Sequence, residues 1–190
     1  MKDNATQAIN DQELYLIAFR LNTNDDIVII YTLMVFGDED IPMVVDDKLL
    51  FFNEPGLCSS VIELASDKIK QLGPPPKNIA LIYDIPRMLE IVSLEDHDEL
   101  TITLNCLNIF FDLLATLKIE IPTKYKDILY SFADHLTFSS EFNLFLKEYH
   151  IDRLTLRNAI IWCAKNIFSN CKFQSSPDSV HEQLPFIVVL

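Results

Sequence analysis

The sequence predicts an α+β protein: a small, mainly antiparallel sheet with a covering helix, followed by a four-helix unit packed against it. Three observations carry this reading. Near residue 93 the pattern changes from short β-branched and aromatic runs divided by turn residues to apolar positions recurring every three or four residues. The charge changes with it: residues 1–100 hold 19 acidic and 7 basic side chains, a net of −12, whereas residues 101–190 hold 9 and 8, a net of −1. Finally, 49% of the 190 residues are apolar, enough to offset the conformational entropy lost on folding despite the net charge of −13. We expect an acidic sheet subdomain over 1–92, a helical subdomain over 93–170, and a polar linker with an apolar, strand-like tail over 171–190. Layers that are each apolar on one face bury those faces against one another, so the parts should form one compact body.

The first run, Glu13 to Leu21, and the second, Ile27 to Phe36, are divided by the polar cluster Asn22-Thr23-Asn24-Asp25-Asp26 and read as an antiparallel hairpin. The nearly continuous apolar content of Ile27 to Tyr31 suggests a central strand covered on both faces. Gly37-Asp38-Glu39-Asp40 ends that strand. Ile41 to Val45, the turn Asp46-Asp47-Lys48 and Leu49 to Phe52 then form a second hairpin-like unit, with Pro42 favouring an edge or strand start. Pro55 suits a first helical turn, and Leu57, Val61, Leu64 and Ile69 follow at helical spacing, which predicts a covering helix over 55–72 stopped by Gly73. Gly73-Pro74-Pro75-Pro76 is a stiff connector to a strand at Ile79 to Tyr83.

Ser93-Leu94-Glu95-Asp96 resembles a capping box and predicts a helix start, with the apolar stripe continuing through Leu100, Leu107, Phe110 and Leu114. Pro122 opens a helix over 122–137, Ser139 or Ser140 caps a short one through Tyr149, and Asp152 caps a last helix over 153–169 that carries Leu156, Ile160, Cys163 and Ile167 on one face. From Lys172 to Glu182 the chain reads as polar linker. The halves share no repeat.

Several function classes are excluded or disfavoured. A sequence pI near 4.5 lacks the clustered Lys and Arg that nucleic-acid phosphates or anionic membrane surfaces require, so neither is expected as a partner. Ile27 to Gly37, the longest charge-free apolar run, is too short to span a bilayer, and the polar start Met1-Lys2-Asp3-Asn4 lacks a signal's apolar core, so the cytoplasm is the expected compartment. No phosphate-cradling glycine loop, HExxH or GxSxG occurs. Cys58, Cys106, Cys163 and Cys171 show no zinc-site spacing and read as small buried hydrophobes. His97, His135, His150 and His181 form no pair on one helix face; His135 suits a helix C-terminus, and His150-Ile151-Asp152 reads either as a base with its orienting carboxylate or as junction chemistry. We assign no catalytic residue, metal or cofactor.

Two features remain. Asp25, Asp26, Asp38, Glu39, Asp40, Asp46 and Asp47 all fall in turns; if the strands pair as sequential hairpins, Asp25-Asp26 and Asp46-Asp47 share one rim of the sheet and Asp38-Glu39-Asp40 sits at the other. Solvated turns, a basic protein partner and a hard cation such as calcium are the three readings, although the spacing does not fit an EF-hand. The tail Phe186, Ile187, Val188, Val189 and Leu190 needs covering, by this chain's own sheet, by a second copy or by a partner. The expected function is therefore a non-enzymatic, acidic interaction module that binds a basic protein and has an apolar tail available for homo-oligomerisation. The alternative is a small-molecule or metal-dependent enzyme with a site between sheet and helices that uses a carboxylate with His135 or His150.

Overall fold

The structure, a computed structural model, describes residues 13–22, 28–37, 40–64, 67–70, 72–94, 99–176 and 179–181. Of the residues singled out above, Asp25, Asp26, Asp38, Glu39, Glu95, Asp96, His97 and the tail Phe186 to Leu190 lie outside them.

The architecture is α+β, as the sequence predicts, with a mixed and mostly antiparallel sheet. Strand β1 (Glu13–Arg20) pairs along its whole length with β2 (Ile29–Phe36), Glu13 opposite Phe36 and Arg20 opposite Ile29. Beyond β2 the ladder divides. The short β3 (Ile41–Pro42) pairs with β2 at Met34 and Val35, while β5 (Lys48–Phe52) reaches β2 at Tyr31 and also pairs with β4 (Val44–Val45). Where β5 meets β2, the buried Thr32 hydroxyl donates to the Leu50 carbonyl at 2.7 Å and adds a side-chain link to the ladder.

Two strands join in parallel, which local hairpin reasoning did not provide for. β6 (Ile79–Asp84) lies beside β1, and β7 (Cys171–Ser176) lies beside β5, followed by the antiparallel β8 (Ser179–His181). The order across the sheet is β6-β1-β2-β5-β7-β8. Residues 171–176, expected to be linker, thus form an internal strand. Their polar appearance hides an alternation in which Cys171 and Phe173 face the helices and are buried.

Because successive side chains of a strand point to opposite faces, β1, β2 and β5 each feed two cores. On one face, Ile17, Phe19, Ile30, Met34, Leu49 and Phe51 pack against α3 (Ile85–Ser93), α4 (Leu100–Thr116), α5 (Thr123–Phe138), α6 (Phe142–Glu148) and α7 (Arg153–Ser169). Phe19 meets Phe51 at 5.6 Å and Phe168 of α7 at 5.9 Å, both edge-on, and stacks on Tyr83 at 5.2 Å. On the other face, Leu16, Ala18, Tyr31, Leu33, Leu50 and Phe52 are covered by a 3-10 turn (Pro55–Leu57) and α1 (Cys58–Leu64). The sheet is therefore the middle of three layers, and β2 is buried on both faces as its sequence suggests.

The helical expectations hold with three corrections. Over the expected covering helix the described residues form the 3-10 turn, α1 and α2 (Asp67–Lys70), with 65–66 and 71 outside them. Neither Ser139 nor Ser140 caps α6, whose N-cap is Glu141 without a side-chain capping bond. Ser93 is not a helix start. It is the last residue of α3, and its hydroxyl donates back to the Leu89 carbonyl at 2.6 Å, the competing use of serine inside helices. α3 itself follows β6 with no loop between them, opened by Asp84, whose carboxylate accepts from the Arg87 amide at 3.1 Å, and by Pro86 in its first turn. Asp152 caps α7 as predicted, accepting from the Thr155 amide at 2.7 Å.

Candidate functional site

The β4–β5 hairpin turns on Asp46 and Asp47, both at positive φ (51° and 61°), which a two-residue turn matching the twist of its strands requires and which Asp tolerates better than most residues. The strands do not pair as sequential hairpins, so the expected rims are rearranged. Since β5 runs antiparallel to β2, the turn that opens it lies toward the end of the sheet where β2 finishes and Asp40 leads into β3. Asp46 and Asp47 thus share an end with Asp40 rather than opposing it.

The acids at that end differ in their surroundings. Asp46 is paired with Lys172 of β7, whose ammonium holds the Asp46 carboxyl below its ordinary value by hydrogen bonding and charge. Asp40 and Asp47 are exposed. Asp112, on the α4 surface that packs beside β3, is half-buried, and its carboxyl is pushed up to about 6, first by burial and then by the Asp40 charge. Among the described residues no Lys, Arg or His pairs with Asp40, Asp47 or Asp112.

Toward the opposite end of the sheet, several of the described acids are paired within the chain. Arg20 and Asp84, register partners on the parallel strands β1 and β6, form an ion pair at 2.8 Å. Arg87 joins Glu90 at 2.8 Å and Glu99 at 2.6 Å. Arg153 donates to the Leu94 carbonyl at 2.6 Å and to Asn143 at 2.7 Å. Acids that face arginines there make internal structure, whereas Asp40, Asp47 and Asp112 do not.

His135 and His150, which the enzymatic alternative would use, sit in separate settings at helix ends. His135 lies in the last turn of α5, its Nε2 is 3.0 Å from the Glu141 carbonyl, and its ring packs 5.4 Å from that of Phe145. His150 is exposed at positive φ between α6 and α7, and the Asp152 carboxylate that was to orient it is engaged by the Thr155 amide and hydroxyl. Among the described residues no three His, Cys, Asp or Glu side chains come together to hold a metal ion. Cys58, Cys106 and Cys163 are buried, and desolvation pushes their thiols up to about 11, 12 and 12, away from nucleophilic use.

Sequence reasoning missed one cavity of about 300 Å³, between α4 and α5 rather than between sheet and helices. Phe111 and Tyr130 form one wall, stacked at 4.5 Å and 5° from parallel, with Glu120 and Lys126 among the polar groups. The joint Ile119-Glu120-Ile121-Pro122 is its only local signal, and the aromatic pair meets only once the two helices dock.

Among the described residues no helix is long and apolar enough to cross a membrane. No protein family, curated protein or solved structure matches this chain.

Proposed function

We propose that the protein is a non-enzymatic interaction module that binds a basic protein partner at the end of the sheet carrying Asp40 and Asp47, beside Asp112. The supporting observation is a contrast among the described acids: Asp84, Glu90 and Glu99 are paired with Arg20 and Arg87, while Asp40, Asp47 and Asp112 form no ion pair with a described Lys, Arg or His. The Asp112 carboxyl is raised first by its burial and then by the negative charge of Asp40, so a negative potential adds to the cost of ionising it. A partner's Lys or Arg placed there would relieve the repulsion, speed encounter and reject acidic competitors.

The test is capture from native lysate by the immobilised wild type and by the double variant Asp40→Asn with Asp47→Asn. A basic protein retained by the wild type and lost from the variant, with the variant no less stable than wild type in a thermal melt, supports the reading. Equal retention by both overturns it.

A second reading, a small-ligand site, rests on the cavity between α4 and α5, whose volume sits at the lower bound of ligand pockets. It requires chemical-shift changes confined to Phe111, Lys126 and Tyr130 in a small-molecule screen by NMR, and a screen with none there removes it.

A further inference from the structure

The cavity of about 300 Å³ between α4 and α5 divides into an apolar floor and two charged groups of opposite sign. Phe111 and Leu114 of α4, Ile119 and Ile121 of the joint and Tyr130 of α5 make the floor. Leu114 is buried, and Phe111, Ile119 and Ile121 are half-buried, so an apolar group laid on them removes hydrocarbon surface from water on both partners. Two helix ends border the same space. Ala115 lies in the last turn of α4 and Thr123 is the first residue of α5, which brings the negative end of one helix dipole and the positive end of another to one cavity. α5 opens without a side-chain cap and without an acidic residue in its first turn, so no acid of its own first turn offsets that positive end. Lys126 of this turn and Glu120 of the joint also line the cavity, and both are exposed. Among the described residues neither forms an ion pair, with the other or with a third group. Opposite charges thus line one cavity without neutralising each other, which leaves both to a ligand that carries both signs.

We propose that the cavity binds a free α-amino acid with an apolar side chain, an inference that rests on the small-ligand reading of the same cavity. Glu120 holds the ammonium, and Lys126 with the Thr123 end of α5 holds the carboxylate. The side chain lies on Leu114 and Ile119 against the wall of Phe111 and Tyr130, whose rings stack at 4.5 Å and favour an aromatic group packed beside them. Both signs are needed on the ligand. An amine of the same shape leaves Lys126 without a partner, and an acid leaves Glu120 without one. A volume at the lower bound of ligand pockets suits a molecule of amino-acid size rather than a dinucleotide.

Titration of the isotope-labelled full chain with L-phenylalanine up to about 10 mM, followed by amide chemical shifts, tests it. Shifts at Phe111, Thr123, Lys126 and Tyr130 are expected, with a dissociation constant on the order of 1 mM. Phenethylamine and phenylpropionate should each bind about five-fold more weakly, the loss of one partly exposed charge pair. With circular dichroism unchanged, Lys126→Gln should bind L-phenylalanine no better than phenethylamine, and Glu120→Gln no better than phenylpropionate. An analogue that binds wild type as tightly as L-phenylalanine does, or a variant that binds L-phenylalanine as tightly as wild type does, overturns the amino-acid inference and leaves a small-ligand site standing. So does a cavity that responds to members of a fragment library but not to L-phenylalanine. A cavity silent to all of them overturns the inference and the small-ligand reading together.

Discussion

Replacing Asp112 by Asn should stabilise the protein, and by an amount that depends on pH. A carboxyl raised from 3.8 to about 6 binds its proton more tightly in the folded chain than in the unfolded one, so its ionised form opposes folding. The full displacement corresponds to about 3 kcal/mol. Asp112 is only half-buried, and solvent screening leaves about 1–2 kcal/mol of it. The sign follows from the protons bound: between the unfolded and folded values the native state holds more, so stability from this group falls as pH rises through that window. The cost is absent near pH 4 and complete above about pH 7. Urea unfolding of wild type and Asp112→Asn should therefore give equal midpoints at the acid end and a higher midpoint for the variant at pH 8. In a thermal melt each kcal/mol is worth about 2–4 °C at this chain length. Asp40→Asn should move the Asp112 titration, followed by carboxyl carbon chemical shifts, toward acid, because the Asp40 charge is the second cause of the shift. A variant destabilised at pH 8, or an Asp112 that titrates near 4, would refute the reasoning and remove the negative potential from the account.

Other consequences bear on the core. Phe51→Ala empties the point where Phe19, Phe51 and Phe168 join the sheet to α7, and should cost about 3–5 kcal/mol in chemical unfolding; a loss under 1 kcal/mol would show that contact to be loose. Thr103→Val replaces a fully buried hydroxyl without a hydrogen-bond partner among the described residues by a methyl of similar shape, and should raise stability by about 1 kcal/mol, with a decrease pointing to an unseen partner. The thiols of Cys58, Cys106, Cys163 and Cys171 are all buried, so iodoacetamide at pH 8 should label none in the native protein and all four in urea, as read by mass spectrometry.

What the sequence discloses is what neighbouring residues decide. The β1–β2 hairpin follows from two β-rich runs around an Asn/Asp cluster, and the α7 start from Asp152 with Thr155 three residues on. α3 was not among the expected helices: Asp84 and Pro86 supply a cap and a first-turn proline, but the chain passes from β6 into it without the loop that usually marks a boundary. Ser93 misled because serine satisfies either a helix start or a last-turn carbonyl, and only the fold selects which. β7 was hidden by Lys172, Gln174 and Ser175, whose polarity conceals the alternation of Cys171 and Phe173 until β5 stands alongside. The site was least legible where it depends on distance in the chain. Asp46 looks as free as Asp47, yet it is neutralised by Lys172, 126 residues away, and the shared end of Asp40 and Asp47 follows from β5 joining β2 rather than extending a meander.

The most direct test of the acidic interaction reading is the affinity of the wild-type protein for a captured basic partner as ionic strength is raised at constant pH. Contacts among exposed charges are screened beyond a Debye length of about 10 Å at 0.1 M salt, so affinity and association rate should both fall steeply from low to high salt. An affinity unchanged across that range would contradict the claim and place the binding energy in apolar contacts elsewhere on the molecule.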